Sequence, residues 1–572
     1  MADKKNDAFM RSLCMGKILE EMIFPFPKIQ KEEAETLRAI FDSLKGWLEP
    51  KKEEFRKWDH EGEMPTEFIA QMREYGLFSL VIPEEHGGLG LSAQAYSRVM
   101  QELGRYDASV AVTVGAHSSI GMRGLLLFGN DAQKKKYLPK LASGEMLAAF
   151  CLTEPGAGSD AASIRTKAVD QGDHWLLNGE KLWVTNGGLA DFFTVFAKTD
   201  TVQGKISAFF VTRDMGGVSH GKHEDKMGIR ASSTTTVFFE NVRVPKENIA
   251  GDMGKGFKMA MHILNAGRSG LGGGCVGGMK EVISLATRQA KSRTQFGKPI
   301  GQFGLIKQKL GHMVVECYAA ESVVTTVANL ADRGYREYAV EAAIAKVFAT
   351  ECCWRSIDEG LQIAGGNGFM REFRYERMLR DSRINRIFEG TNEILRLFIA
   401  LTAMQEVGAN LKEVAASIGT VLQDPIKGFG VMSDYAKRKV THITGLGQAS
   451  LTNVPESISP QAKLFEECVT QLAATVDRLL RKHGKTIIDK QFATRRLADI
   501  MIDLFALACV ISRVSTSIKE NGQVKAHKEI EILQVFAGQV SRRVHGNFSK
   551  IDDNDDEQIS NLADHAMEKE SY

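Results

Sequence analysis

Gly270-Leu271-Gly272-Gly273-Gly274-Cys275-Val276-Gly277-Gly278 is the stretch on which the fold turns. Gly272, Gly274 and Gly277 satisfy the spacing of a dinucleotide-binding loop, which needs a strand before it and a βαβ unit around it. Neither is there, because the sequence on both sides runs with apolar residues three and four apart, the period of a helix. The glycines read as points of close helix approach that interrupt a long helical run, and no nicotinamide cofactor follows from them.

Outward from that stretch, residues 31–144 are mostly helical in pattern, with helices expected near 33–47 and 67–75 and breaks at Gly76 and at 83–90. Between 150 and 251 the texture changes to short β-branched and aromatic runs such as 206–212 and 234–239, with turns expected at Asn178-Gly179 and Met215-Gly216-Gly217. Helical patterns return over 256–401, with Gly-rich interruptions at 270–278 and 365–368. They continue into a tail with strong helices near 462–481 and 492–518. The acidic cluster Asp552, Asp553, Asp555, Asp556 and Glu557 suits the positive end of a helix dipole. Residues 424–460, rich in Gly, Ser and Thr, read as a loop or a conditionally folded segment. The expected architecture is α+β and mainly helical: an N-terminal helical domain (1–148), a β domain (149–254), a helical bundle (255–405) and an extra helical domain (406–572).

At 572 residues the chain exceeds what one core supports. A formal net charge of +2 with 25% charged residues gives no bulk signal for nucleic acid or for disorder. Eight cysteines without a CxxC pair form neither a disulfide framework nor a zinc pattern, which points to a reducing compartment. No signal peptide is expected from the N-terminus, which lacks an apolar segment before a cleavage site, and no stretch is expected to reach the roughly 20 apolar residues of a membrane span.

Five further motifs carry chemistry. Cys151-Leu152-Thr153-Glu154-Pro155-Gly156-Ala157-Gly158-Ser159 offers hydroxyls and a turn with exposed N–H groups. Leu182-Trp183-Val184-Thr185 offers a ring-sized apolar face beside a hydroxyl. Arg293-Thr294-Gln295-Phe296-Gly297 and Gln362-Ile363-Ala364-Gly365-Gly366 follow. Last comes Phe388-Glu389-Gly390-Thr391-Asn392, which sets a carboxylate on a Gly-Thr turn where it can act as a base. Taken singly, each fits an ordinary core tryptophan, hairpin turn or capping carboxylate.

In this order the motifs resemble the flavin-dependent acyl-CoA dehydrogenases, and among them the very-long-chain members with an extra C-terminal region, over nearly the whole chain. The resemblance implies removal of a proton from the carbon α to a thioester and of a hydride from the β carbon, giving a trans-2-enoyl-CoA and reduced flavin. It makes Glu389 the base. Some members carry their base at the position of Gly267, which cannot abstract a proton. By the same resemblance Cys151, Thr153, Gly158, Ser159, Trp183, Thr185 and Thr391 hold FAD, while Arg293, Gln295, Phe296, Gln362, Gly365 and Gly366 reach the flavin of the other subunit of a homodimer. Ser159, Arg268 and Gly390 lie at the substrate. Arg268 reads equally well as one half of a structural ion pair. Gly115, Gly121 and Gly124 allow a deep acyl tunnel or serve ordinary helix packing.

The implied partners are a long-chain acyl-CoA, an electron-transfer flavoprotein and a second copy of the chain. Peripheral membrane contact is expected through residues 426–447, where Lys427, Lys437, Arg438 and Lys439 alternate with apolar side chains. The expected place is a bacterial cytoplasm, with the periphery of the inner membrane as one location there, or the mitochondrial matrix of a eukaryote. An acyl-CoA oxidase and a non-enzymatic assembly factor for a respiratory complex are the rival functions.

Overall fold

The computed structural model describes residues 7–200, 205–409 and 450–572. They form two compact units. One contains Lys28–Gly334 and Ala345–Thr391, and the other Met1–Pro27, Tyr335–Ile344 and Asn392–Tyr572.

In the first unit the helices Lys31–Leu48, Thr66–Glu74 and Ala93–Tyr106 close on a core of Leu37, Leu44, Trp47, Phe68 and Leu103. Trp47 stacks between Phe68 and Tyr75. A sheet follows, built from β1 (Ala148–Cys151), β2 (Lys167–Asp170), β3 (His174–Thr185), β4 (Phe192–Asp200), β5 (Lys205–Thr212), β6 (Val218–His220), β7 (Thr234–Pro245) and β8 (Ile249–Ala250). Its order is β6-β7-β3-β2-β4-β5-β8, with β1 parallel to β4. Alternate residues of β4 and β5 feed two cores: Phe192, Phe196 and Phe210 one, Phe193, Val195 and Phe209 the other. With both faces covered, these strands read as continuous apolar runs.

Two local expectations are corrected. Asn178-Gly179 is not a turn but an irregularity inside β3, where the register shifts, Gly179 has φ 151° and the Asn178 side chain accepts from the N–H of Asn241 at 2.8 Å. The glycines at 270–278 do not interrupt a helix, since Gly256–Ser292 is one helix of 37 residues. A Cβ at Gly273 would lie 2.5 Å from the Ser97 carbonyl oxygen, and one at Gly277 2.0 Å from that of Gln101. Close crossing of the Ala93–Tyr106 helix requires glycine there, and the packing it allows outweighs its poor helix propensity. The second expected break is real, with Gly365 at φ 61°.

One described segment, Ala108–Phe128, reaches the length and hydropathy of a membrane span, which the sequence reading did not foresee. Most of it is buried within the protein, a sufficient reason for its apolar character.

In the second unit the helices Ser459–His483, Gln491–Asn521, His527–Asp552 and Asp556–Lys569 follow one another. The short helix Phe9–Cys14 belongs here: Phe9 meets Phe505 edge-on at 5.7 Å, and the Met10 N–H donates to Glu341 at 2.8 Å. Asp503, the charge inside an apolar run, is buried and paired with Arg543 at 2.6 Å. Asp556 and Glu557 occupy the first turn of the last helix, as the acidic cluster suggested. The expected interfacial segment 426–447 and most of the loop 424–460 lie outside the described residues.

Candidate active site

Glu389 sits between a 3-10 turn (Ile384–Arg386) and the helix that begins at Asn392, with φ 55°, followed by Gly390 at φ 91°. A left-handed conformation is strained for a residue with a side chain and survives only where surrounding structure fixes it. The Lys346 Nζ donates to the Gly390 carbonyl at 2.9 Å, on the residue that follows Glu389. Lys346 is fully buried.

The carboxylate of Glu389 is held in by two cations. Burial raises its pKa, and the charges of Arg268 and then Lys346 pull it back only in part. Its Oε2 is buried and has no hydrogen-bond partner among the described residues. Arg268, on the Gly256–Ser292 helix, is buried, donates to the Asn265 side-chain oxygen at 2.5 Å and leaves its Nε unpartnered. Burial brings its pKa down to about 10, against the opposing pull of Glu389. Tyr96 lies within electrostatic reach of Glu389 and shares a 2.7 Å hydrogen bond with Ser119, in a π-helical turn over Ala116–Gly121. A base needs both a raised proton affinity and a lone pair not already engaged, and Glu389 combines a raised pKa with an unpartnered oxygen. At Gly267 a Cβ would come within 3.0 Å of Ile120 and 3.3 Å of the Ser119 carbonyl oxygen, so the alternative position for a base is filled by packing.

The two sheet motifs are brought together. The Leu182 N–H donates to the Thr153 carbonyl at 2.8 Å, joining the turn after β1 to β3. Beneath that bond the Lys181 Nζ donates to Glu154 at 2.7 Å and to the Leu152 carbonyl at 3.2 Å. Trp183 then projects outward, 63% exposed at φ 54°, where the register of β3 against β7 shifts. Thr185 is half-buried.

Gly158 and Ser159 are exposed, and neither Gly156 nor Gly158 would meet a protein atom through an added Cβ. The space beside this turn is therefore left open by glycines that the fold itself does not require, as a phosphate-bearing cofactor needs. Cys151 can offer only its backbone, because its side chain is core and burial pushes the thiol up to about 12.

Arg293, Gln295 and Phe296 stand in solvent on a small hairpin, with Phe296 93% exposed at φ 49°. Gln362, Gly365 and Gly366 are also exposed, and Thr391 is half-buried. Of the small residues assigned to a tunnel, Gly115 has only Met100 near it, at 3.5 Å. Gly121 abuts the Ala148 backbone of β1 at 2.8 Å, and Gly124 meets Ile263 and Thr194 at 3.1 Å. The fold itself uses the smallness of both.

Sequence reasoning missed Lys346, Tyr96, Ser119 and Lys181. Lys346 had a signal: it is the lone cation in the apolar run Ala342-Ala343-Ile344-Ala345-Lys346-Val347-Phe348-Ala349. A charge kept there needs a buried partner.

Family models for the acyl-CoA dehydrogenase N-terminal, middle and C-terminal domains match residues 34–145, 149–242 and 254–404, and the ACAD9/ACADV C-terminal domain matches 456–572. The chain belongs to the acyl-CoA dehydrogenase family, and FAD is its cofactor. It is 44% identical to the mitochondrial very long-chain specific acyl-CoA dehydrogenase of Homo sapiens, across 92% of this chain and 82% of that protein. Among solved structures, an acyl-CoA dehydrogenase complexed with FAD from Bacillus anthracis is 34% identical, with TM-score 0.81 over 94% of this chain and 91% of that one. Butyryl-CoA dehydrogenase from Megasphaera elsdenii is 37% identical, with TM-score 0.63 over 65% of this chain and 98% of that one.

Proposed function

We propose that this acyl-CoA dehydrogenase oxidises long and very long acyl chains at the α and β carbons, with Glu389 taking the α proton. The observation that carries the reading is the buried, unpartnered oxygen of Glu389, held between Arg268 and Lys346 in a strained turn. Bound FAD supplies the acceptor for the β hydride. Thr153, Gly158, Ser159, Trp183 and Thr185 hold it on one subunit, with the backbone at Cys151 and with Thr391. Ser159 and Gly390 lie at the acyl-CoA, and Gly115 leaves room for the chain. Exclusion of water by that chain raises the proton affinity of Glu389 further, matching it to the activated α carbon.

Arg293, Gln295, Phe296, Gln362, Gly365 and Gly366 act on the flavin of a second copy. Support comes from their exposure, together with that of Leu305 and Phe369, which are 74% and 77% exposed. An electron-transfer flavoprotein accepts the electrons. Likeness to mitochondrial enzymes supports the matrix as the compartment in a eukaryote.

The test is anaerobic mixing of purified enzyme with palmitoyl-CoA or butyryl-CoA while flavin absorbance is followed. Bleaching by palmitoyl-CoA alone, abolished in Glu389→Gln, is the expected result. Bleaching that survives Glu389→Gln sinks the assignment of the base. Bound flavin that neither thioester bleaches favours the assembly-factor reading, and rapid reoxidation by oxygen favours an oxidase.

A further inference from the structure

The first unit buries a cation that the dehydrogenation reading does not require. Lys346 has no exposed surface and donates to the carbonyl of the residue that follows Glu389, at 2.9 Å. A buried ammonium is expensive unless its charge is answered. The answering charge here is the carboxylate of the base, and the hydrogen bond falls on the strained turn that aims it. We propose that Lys346 is a positioning residue of the reaction: it pins the Gly390 carbonyl so that Glu389 keeps its left-handed conformation, and with Arg268 it keeps the carboxylate ionised before substrate enters.

This rests on Glu389 being the base. Around the pair stand Arg268 and Cys275 from the Gly256–Ser292 helix, Glu351 from the helix of Lys346, and Tyr96 and Arg123 from the segments packed against the π-helical turn. Glu351 is itself engaged by Arg386 at 3.2 Å. Burial lowers the pKa of Lys346 to about 8, Glu389 being its largest counterweight. Burial raises the proton affinity of Glu389, the charges of Arg268 and Lys346 oppose that rise, and proton abstraction requires the carboxylate to be ionised.

The sign follows. Without the charge of Lys346 the proton affinity of Glu389 rises, so the acid limb of the rate profile moves to higher pH, by about one unit for loss of one nearby charge. A lysine that served only to hold the turn would lower the rate equally at every pH. The experiment measures the anaerobic bleaching rate of holoenzyme by palmitoyl-CoA across pH for Lys346→Met, Lys346→Gln and Lys346→Arg, with flavin content and unfolding midpoint checked for each. Met and Gln should move the acid limb up, Gln with the smaller loss of maximal rate because its amide still donates to Gly390. Arg should leave the limb where wild type has it. A uniform loss with an unmoved limb in Met and Gln overturns the proposal. Should Met and Gln fail to retain flavin, the Arg variant decides: a displaced limb despite the retained charge overturns it. Glu389→Gln run in parallel separates the two failures, since continued bleaching there removes the base itself, whereas a dead Glu389→Gln beside an unmoved Lys346→Met removes only this inference.

Discussion

Lys181→Met should be among the most damaging single changes outside the immediate surroundings of Glu389. Lys181 is 0% exposed and Glu154 5%, joined at 2.7 Å. The Glu154 carboxylate also accepts the N–H groups of Arg165 and Thr166 and the Thr166 hydroxyl, so it cannot turn away to water. Burial pushes its pKa up, but Lys181 and those hydrogen bonds outweigh the effect and hold it below the usual range. Burial acts on Lys181 in the opposite sense for a cation and lowers it, with Glu154 opposing. Deleting the ammonium strands a buried carboxylate, which costs about 3–5 kcal/mol. At about 1.4 kcal/mol per decade that is a hundredfold to several thousandfold in the folding equilibrium.

The loss falls on the bond between Leu182 and Thr153 that unites the two motifs proposed to hold the flavin, so flavin content should fall with it. The assay is the urea midpoint of unfolding together with the flavin-to-protein ratio after purification. Glu154→Gln added to Lys181→Met should restore part of the stability, because the stranded charge is then gone. The wild-type contribution of Glu154 is present above the ordinary carboxylate pKa and disappears as pH falls through the lowered folded value, so Lys181→Met should also flatten the acid dependence. A Lys181→Met protein within about 1 kcal/mol of wild type and saturated with flavin would refute the reasoning.

Two other predictions concern packing and pH. Gly274→Ala, with no atom within 4 Å of the new Cβ, should stabilise the helix by about 0.5–1 kcal/mol. Gly277→Ala, aimed 2.0 Å from the Gln101 carbonyl oxygen, should destabilise by more than about 2 kcal/mol, and equal midpoints for the pair would show that the glycines carry no packing role. His117 is buried neutral, accepting the Ala148 N–H at 3.0 Å and donating to the Phe78 carbonyl at 3.1 Å, and burial brings its pKa from 6.5 to about 4. The unfolded chain binds the proton first, so stability is full above pH 6.5 and declines down to about pH 4, a loss of about 3 kcal/mol. His117→Gln should remove that slope in urea titrations at successive pH values, and an unchanged slope would exclude His117 as its source.

What the sequence disclosed, it disclosed through pattern. The Thr66–Glu74 helix, the strands around 206–212 and 234–239 and the tail helices all follow from periodicity, and the helix through Gly270–Gly278 from the absence of a preceding strand. Its continuity was hidden because glycine propensity is local, whereas the 2.0 Å constraint at Gly277 arises from Gln101 on another helix. Asn178-Gly179 misled for the same reason, as the pairing of β3 with β7 absorbs it into the strand. Motif order exposed Glu389, Arg268 and Trp183, yet Lys346 and Tyr96 are distant from Glu389 in sequence, and Lys181, two residues before Trp183, carries no motif of its own.

Two of those supports, Lys181 and Lys346, share one device. Among the described residues, seven that are not glycine have positive φ, and Trp183, Phe296 and Glu389 are three of them, each a residue the motifs had singled out. Conformations of this kind cost on the order of 1–3 kcal/mol apiece and relax unless neighbouring backbone is tied down. At Trp183 the tie is Lys181, two residues earlier, reaching the Leu152 carbonyl and Glu154. At Glu389 it is Lys346, reaching the Gly390 carbonyl one residue later. In each case a fully buried ammonium joins a backbone carbonyl to a buried carboxylate's field, so charge and geometry are fixed by one side chain. A methionine could fill either volume but could supply neither the donor nor the charge, which is why substitution at both lysines should disturb function more than loss of packing alone would.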